Sequence, residues 1–169
     1  SKDLIGKKCV LAEKADYLVM TNYSSSNVGE AGLCLSSSDH VMVDGMLTPS
    51  FNAVKNGIVV TGCTDVLLTH LTIGTDWQDD VEITGSSEIR ITESDFRRAR
   101  HAVYALNSSA VSVTNCVTSD MWDDSVMFDS CTNSSLTGGT IRSTATAVTM
   151  KQCNVMSIKG AHLTSDIQL

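Results

Sequence analysis

The sequence is short of the residues that mark most mixed or membrane folds. It contains one proline, Pro49, and aromatic residues make up only 5% of its 169 residues. No run of about 18 apolar residues occurs, which excludes a membrane-spanning helix. Basic residues number 12 against 19 acidic ones, giving a net charge of −7. Because nucleic acids and anionic membranes need clustered Lys and Arg, we expect no nucleic-acid binding and no membrane insertion.

What the sequence does contain is an internal repeat of 22 or 23 residues. Seven segments align without gaps over their first 17 positions, with spacings of 23, 26, 23, 22, 23 and 22 residues. They begin at Lys8, Ala31, Gly57, Asp80, Ala102, Ser125 and Ala147. Each segment reads as two short alternating strands around a small-residue corner, followed by a third apolar stretch. Three short strands in each repeat form one coil of a solenoid.

Two apolar columns run through these repeats and indicate which side chains face inward. The second position holds Cys9, Gly32, Ile58, Val81, Val103, Val126 and Val148, and the fourth holds Leu11, Cys34, Val60, Ile83, Ala105, Phe128 and Met150. Ankyrin and leucine-rich repeats need a helix or a leucine–asparagine signature in each unit, and neither occurs here. The pattern predicts a single all-β domain over residues 1–169, a right-handed parallel β-helix of about seven coils. Val41 and Val43 are one residue out of phase, which predicts a bulge in the second coil.

The six cysteines are explained by the same columns. They form no CxxC pair, and the histidines are far from any zinc-finger spacing, so we expect no metal ion and no cofactor. Most of the cysteines fall in the inward columns or at the small-residue corner, where a thiol behaves as a small apolar group. Buried thiols, typical of a reducing compartment, are therefore favoured over a disulfide framework. Cys131 and Cys153 lie on adjacent rungs and are the pair to test for a bridge.

Two similar turns, at residues 75–80 and 120–125, precede the fourth and sixth coils. Trp77 and Trp122 share a column in these turns, with Ala99 between them. Since neighbouring rungs are about 4.8 Å apart, the two indoles are expected roughly 9.6 Å apart. Sugar faces stack on aromatic rings, so this pair predicts a platform for an oligosaccharide.

The same turns align charged residues. Asp79 and Asp124 share a column with His101 between them. Two carboxylates at the upper end of about 6.5–9.5 Å leave room for a water and suit inverting glycoside hydrolysis. Asp79, Asp124 and His101 are therefore the candidate acid–base set, with the imidazole tuning or relaying a proton. Further candidates for glycan contact on or beside this face are Asp80, Glu82, Tyr104, Asp129, Arg98 and Arg100.

Charge pairing is the alternative interpretation of this edge. Arg97, Arg98 and Arg100 belong to the turn between the two acidic turns. Acidic, basic and acidic turns on successive rungs are what ion pairing along a solenoid produces, with each exposed pair contributing about 0–1 kcal/mol. In that case the tryptophans pack on a coil end or on another subunit.

Over residues 8 to 165 the repeat resembles the right-handed β-helices of the pectate-lyase-like superfamily. That superfamily includes phage tailspikes, polygalacturonases, polysaccharide lyases and alginate epimerases. Asp79-Asp80 followed one coil later by His101 is similar to part of the polygalacturonase motif. The sequences Asn56-Gly57-Ile58 and Arg142-Ser143-Thr144 do not match its remaining parts. Because members share coils and differ in their active residues, the resemblance implies an architecture more than a reaction.

Three functions follow from the resemblance. The first is a tailspike- or adhesin-like chain on a virion, which binds and in some members degrades cell-surface polysaccharide. Tailspikes of this type are homotrimers, so this reading implies a trimer. The second is a free-standing, secreted polysaccharide hydrolase, lyase or epimerase that uses Asp79, Asp124 and His101. The third is a structural spacer in a larger fibre.

Overall fold

The computed structural model describes residues 10–25, 31–48, 56–74 and 78–165, whose strands form three sheets. The first sheet contains β1 (Val10–Glu13), β3 (Ala31–Ser36), β6 (Asn56–Thr61), β9 (Asp79–Thr84), β12 (His101–Leu106), β15 (Val126–Asp129) and β18 (Val148–Lys151). The second contains β2 (Val19–Thr21), β4 (Asp39–Asp44), β7 (Thr64–Thr69), β10 (Ser87–Thr92), β13 (Ser112–Thr114), β16 (Thr132–Thr137) and β19 (Asn154–Lys159). The third contains β5 (Leu47–Thr48), β8 (Thr72–Ile73), β11 (Asp95–Arg97), β14 (Val117–Ser119), β17 (Thr140–Ser143) and β20 (His162–Ser165).

Successive strands along the chain belong to successive sheets. Within each sheet the strands follow chain order, and the paired strands are parallel. The described residues therefore form a parallel solenoid of about six turns, which confirms the predicted all-β parallel coil. Among the described residues no helix is long and apolar enough to cross a membrane.

The first two coils lie one residue out of the predicted register. Leu33 pairs with Val10 on one side and with Ile58 on the other, so Leu33 occupies the place that the alignment gave to Gly32. With this shift Val41 pairs with Val66 in phase with the rest of the sheet. The predicted bulge at Val41 and Val43 is therefore wrong. The apparent slip arose because the sequence alignment began the first two coils one residue too early.

Two continuous apolar columns of the first sheet face the interior of the coil. From the third to the sixth coil they match the prediction, and all their members are at most 1% exposed. They are Ile58, Val81, Val103 and Val126 in one column and Val60, Ile83, Ala105 and Phe128 in the other. Burying a side chain of this size stabilises the fold by about 1.5–3 kcal/mol. In the last coil Met150 occupies the same column but is exposed, because no described strand covers β18.

Side-chain hydrogen bonds stabilise the small-residue corner, and the described cysteines there are free thiols. Ser86 Oγ accepts a hydrogen bond from Cys63 N at 3.1 Å and donates one to Thr84 O at 3.0 Å. The thiols of Cys131 and Cys153 each donate to main-chain carbonyls at 3.3 Å, and the two are not bridged. The predicted preference for thiols thus holds for the described cysteines; Cys9 lies outside the described residues.

Candidate functional site

The candidate site lies where the strands of the first sheet begin. Asp79 is the first residue of β9 and His101 the first of β12, and the two residues pair across neighbouring rungs. Both share the alternation of the inward columns, and they are only 2% and 4% exposed. Asp123 and Asp124 precede β15 on the next rung. The site therefore has its buried residues, Asp79 and His101, on two rungs and its exposed carboxylate, Asp123, on the third.

The Asp79 carboxylate is held on both oxygens. Oδ1 lies 2.7 Å from His101 Nδ1 and accepts a hydrogen bond from Arg100 Nε at 3.3 Å. Oδ2 accepts from Arg100 Nη2 at 3.2 Å, and Asp79 N donates to Asn56 Oδ1 at 3.2 Å. A buried carboxylate with these partners is shielded from solvent and fixed in place. Its position suits it to orient His101.

The imidazole of His101 presents its two nitrogens to different surroundings. The separation of 2.7 Å between His101 Nδ1 and Asp79 Oδ1 places one proton between the two atoms, because two acceptors do not approach so closely. Arg100 donates to both oxygens of Asp79, which favours the ionised carboxylate and therefore a proton on Nδ1. Nε2 faces Asp123 Oδ2 at 3.8 Å, beyond hydrogen-bonding distance, and makes no hydrogen bond with any described residue. One imidazole nitrogen of His101 and one carboxylate oxygen from each of Asp123 and Asp124 lie within 4.8 Å of one another. Nε2 is thus directed at two carboxylates near the surface.

Glu82 and Tyr104 form the outward side of the same rungs, where they pair in register. Asn56 Nδ2 donates to Glu82 Oε2 at 2.6 Å. Burial, together with the charge of Asp79, raises the pKa of Glu82 above its ordinary value. The Tyr104 ring stacks on His101 with centroids 5.4 Å apart, and burial raises the pKa of Tyr104 more than the nearby carboxylates do. Asn56 thus links the half-buried Glu82 carboxyl group to the main chain of Asp79.

Trp122 is the exposed aromatic residue next to this cluster. Its side chain projects from the turn before β15, and the residue is 50% exposed. Trp122 N donates to Ala99 O at 3.0 Å, and Asp123 N donates to Arg100 O at 3.3 Å. The indole therefore lies one rung from Arg100. Trp77 lies outside the described residues, so the platform of two indoles stays a prediction.

The remaining predicted contact residues occupy different environments. Asp80 is completely buried, so its predicted place on the glycan-facing surface is wrong. The Asp129 carboxylate is mostly buried and lies 3.6 Å from Lys151 Nζ. Arg98 is exposed in a turn with a positive φ of 58°. The charge-pairing interpretation applies to Arg100, whereas Arg97 pairs with Asp95 inside its own strand.

Two site residues escaped the sequence reasoning. Asn56 contacts both Asp79 and Glu82, and Asp123 is the carboxylate that faces His101 Nε2. A signal for Asn56 exists, because the residues just before the coil starts form one polar column. That column reads Asn56, Asp79, His101 and Asp124. For Asp123 no signal separates it from its neighbour Asp124.

Comparisons with known proteins bear on the architecture. A family model described as "Right handed beta helix region" matches residues 50–166. Among solved structures, the crystal structure of the periplasmic alginate epimerase AlgG matches with a TM-score of 0.60 at 9% identity. The match covers 91% of this chain and 47% of that one, so the chain spans about half the epimerase's length. A search of curated proteins finds no match. At this identity the likeness shows the fold alone, and the family match shows that this chain belongs to the right-handed β-helix family.

Proposed function

We propose that this chain binds polysaccharide along the start of its first sheet, with Trp122 as the main contact. The observation that carries the proposal is the half-exposed indole one rung from the charged cluster of Asp79, Arg100 and His101. Aromatic rings offer an apolar face for a sugar ring, and amphipathic residues of this kind are typical of wet binding surfaces. The similar fold of an alginate epimerase supports a polysaccharide ligand.

The polar neighbours of Trp122 suit a row of sugar hydroxyls. Arg100 keeps 42% of its side chain exposed while it holds Asp79, and Glu82 and Tyr104 are half-buried on the next rungs. Donors and acceptors on a rigid sheet select hydroxyl groups with little loss of side-chain entropy. Since carboxylates outnumber guanidinium groups here, we expect a neutral polymer to bind better than an anionic one when divalent cations are chelated.

Affinity measurements on a panel of neutral and anionic polysaccharides test this proposal. Trp122→Ala is expected to weaken binding of the recognised polymer by about tenfold, since aromatic anchors dominate such surfaces. Tyr17→Ala is the matched control, because Tyr17 is an exposed aromatic residue at another corner, where it stacks on His40. Equal affinities for Trp122→Ala and the unsubstituted protein would refute the proposal.

A catalytic role for Asp79, His101 and Asp124 is the second candidate. The orientation of His101 by the buried Asp79 favours it, because general bases are commonly fixed in this way. In this version Asp79 positions the imidazole, while His101 and Asp124 reach the substrate. Release of reducing ends or unsaturated sugars from the panel tests it, and Asp124→Asn should stop release while leaving binding intact.

A more specific proposal is that the chain is a tailspike-like homotrimer on a virion. It rests on the sequence resemblance alone. A secreted monomeric protein is the competing form, and a structural spacer that binds no glycan is the third. A light-scattering mass of three chains, together with glycan binding, would favour the trimer. A mass of one chain would favour the secreted form.

A further inference from the structure

We propose that His101, Asp123 and Asp124 bind a divalent transition-metal ion such as Zn²⁺. Their donor atoms, the imidazole nitrogen and one oxygen from each carboxylate, lie within 4.8 Å of one another. Donors around a four-coordinate zinc ion are about 3.3 Å apart, given bonds of about 2.0–2.1 Å. The separation of 3.8 Å between His101 Nε2 and Asp123 Oδ2 needs little closure, and the Asp123 side chain is 56% exposed and able to move.

The buried imidazole distinguishes this cluster from an ordinary group of surface carboxylates. The side chain of His101 is only 5% exposed, yet Nε2 points at the two aspartates without a hydrogen bond to any described residue. A metal ion at this place would use the Nε2 lone pair.

Asp79 supplies what a metal-binding histidine needs on its other nitrogen. Ligating histidines usually donate their second N–H to a carboxylate or carbonyl, which fixes the tautomer and raises the basicity of the ligand. Asp79 accepts from His101 Nδ1 at 2.7 Å, and Arg100 holds that carboxylate in place. Asp79, the hydrogen-bond partner of the ligating histidine, is thus a buried residue of the coil.

The donor set and the charges indicate the class of ion. The cluster contains three carboxylates, Asp79, Asp123 and Asp124, and one guanidinium group, Arg100, so the surroundings favour a cation. One imidazole with two carboxylates suits zinc-like ions better than Ca²⁺, which prefers oxygen ligands alone. The sequence contains no local metal-binding motif, so it predicted no metal ion. The ligands come from neighbouring rungs and are 22 and 23 residues apart in sequence.

The metal site goes beyond polysaccharide binding and bears on the catalytic candidate. A lone pair that binds a metal ion does not accept a proton, so metal binding and a general-base role for Nε2 are alternatives. The surface position of Asp123, next to Trp122, leaves at least one coordination position open to water or to a ligand.

Calorimetric titration of chelator-treated protein with Zn²⁺, in the absence of polysaccharide, tests the metal site. We expect one equivalent per chain, with binding at least about tenfold weaker in both Asp123→Asn and Asp124→Asn. Asp39→Asn is the matched control: Asp16, Asp39 and His40 also place three donors within 4.8 Å, but all three residues are exposed. That variant should retain full affinity.

Three results would overturn the metal site. They are the lack of stoichiometric Zn²⁺ binding, equal binding by Asp123→Asn and the unsubstituted protein, and an equal loss in Asp39→Asn. Asp123 is exposed, so its variant is expected to fold, and a circular dichroism spectrum checks this. Failure of the Zn²⁺ titration leaves the Trp122 test of polysaccharide binding unaffected, and the converse also holds.

Discussion

His70 and His101 both lie between carboxylates of neighbouring coils, and they differ in burial. His70, at a corner between the second and third sheets, contacts Asp44 through Nδ1 at 2.8 Å and Glu93 through Nε2 at 2.9 Å. Its side chain is 59% exposed, whereas that of His101 is 5% exposed. The exposed imidazole has both nitrogens paired. The buried one has a single paired nitrogen and directs the other at the surface, which is why only His101 forms a candidate site.

The largest expected difference between the two clusters is in stability. Asp79→Ala leaves the buried Nδ1–H of His101 without its acceptor and removes the carboxylate that Arg100 binds, which costs about 2–3 kcal/mol of unfolding free energy. Asp44→Ala at the exposed cluster should give a much smaller loss. Chemical denaturation measures both, and equal losses would remove the distinction between the clusters.

A smaller effect is expected at Asn56. Its side chain donates to Glu82 at 2.6 Å and accepts from Asp79 N at 3.2 Å, so Asn56→Ala leaves two partly buried groups without partners. We expect a loss of about 1–2 kcal/mol. Ser87→Ala, which removes an exposed hydrogen bond of 3.4 Å to Thr64, is the control and should change little. An unchanged unfolding free energy in Asn56→Ala would show that Asn56 does not stabilise the site.

The smallest effect is the pH dependence of the exposed cluster. The hydrogen bond to Asp44, and to a lesser extent that to Glu93, raises the pKa of His70 above the ordinary value of 6.5, although desolvation opposes the shift. Its contribution to stability is therefore full below the unfolded pKa and is lost as pH rises through the folded pKa. Comparing the unfolding free energies of His70→Gln and the unsubstituted protein from acidic to mildly basic pH should show the difference shrinking. A difference that is constant with pH would contradict this.

The period of the repeat predicted the architecture, because the side chains of a parallel coil must stack in columns. It failed by one residue in the first two coils. There Gly32 and Cys34 fit an apolar column as well as Leu33 and Leu35 do, so the sequence could not determine at which residue these coils begin. The pairing of Leu33 with Ile58 decides the register, and only the structure shows it.

The candidate site was predicted in part for a related reason. The column that contains Asp79 and His101 was found from spacing, and the two residues do pair. Their burial was not predicted, because charged residues before a strand are ordinarily read as part of an exposed turn. The alternation that sends Val81 and Val103 inward also sends Asp79 and His101 inward, and Arg100 makes that burial tolerable. Which nitrogen of His101 stays unpaired depends on distances that spacing does not contain.

The orientation of His101 is the central claim, and ¹⁵N NMR of the imidazole rings tests it most directly. With a chelator present and the imidazole in its neutral form, His101 should show a single tautomer, protonated at Nδ1 and unprotonated at Nε2. His70, with a carboxylate on each nitrogen, should show averaged shifts. A proton on Nε2 of His101, or the same averaged shifts for both histidines, would contradict the account.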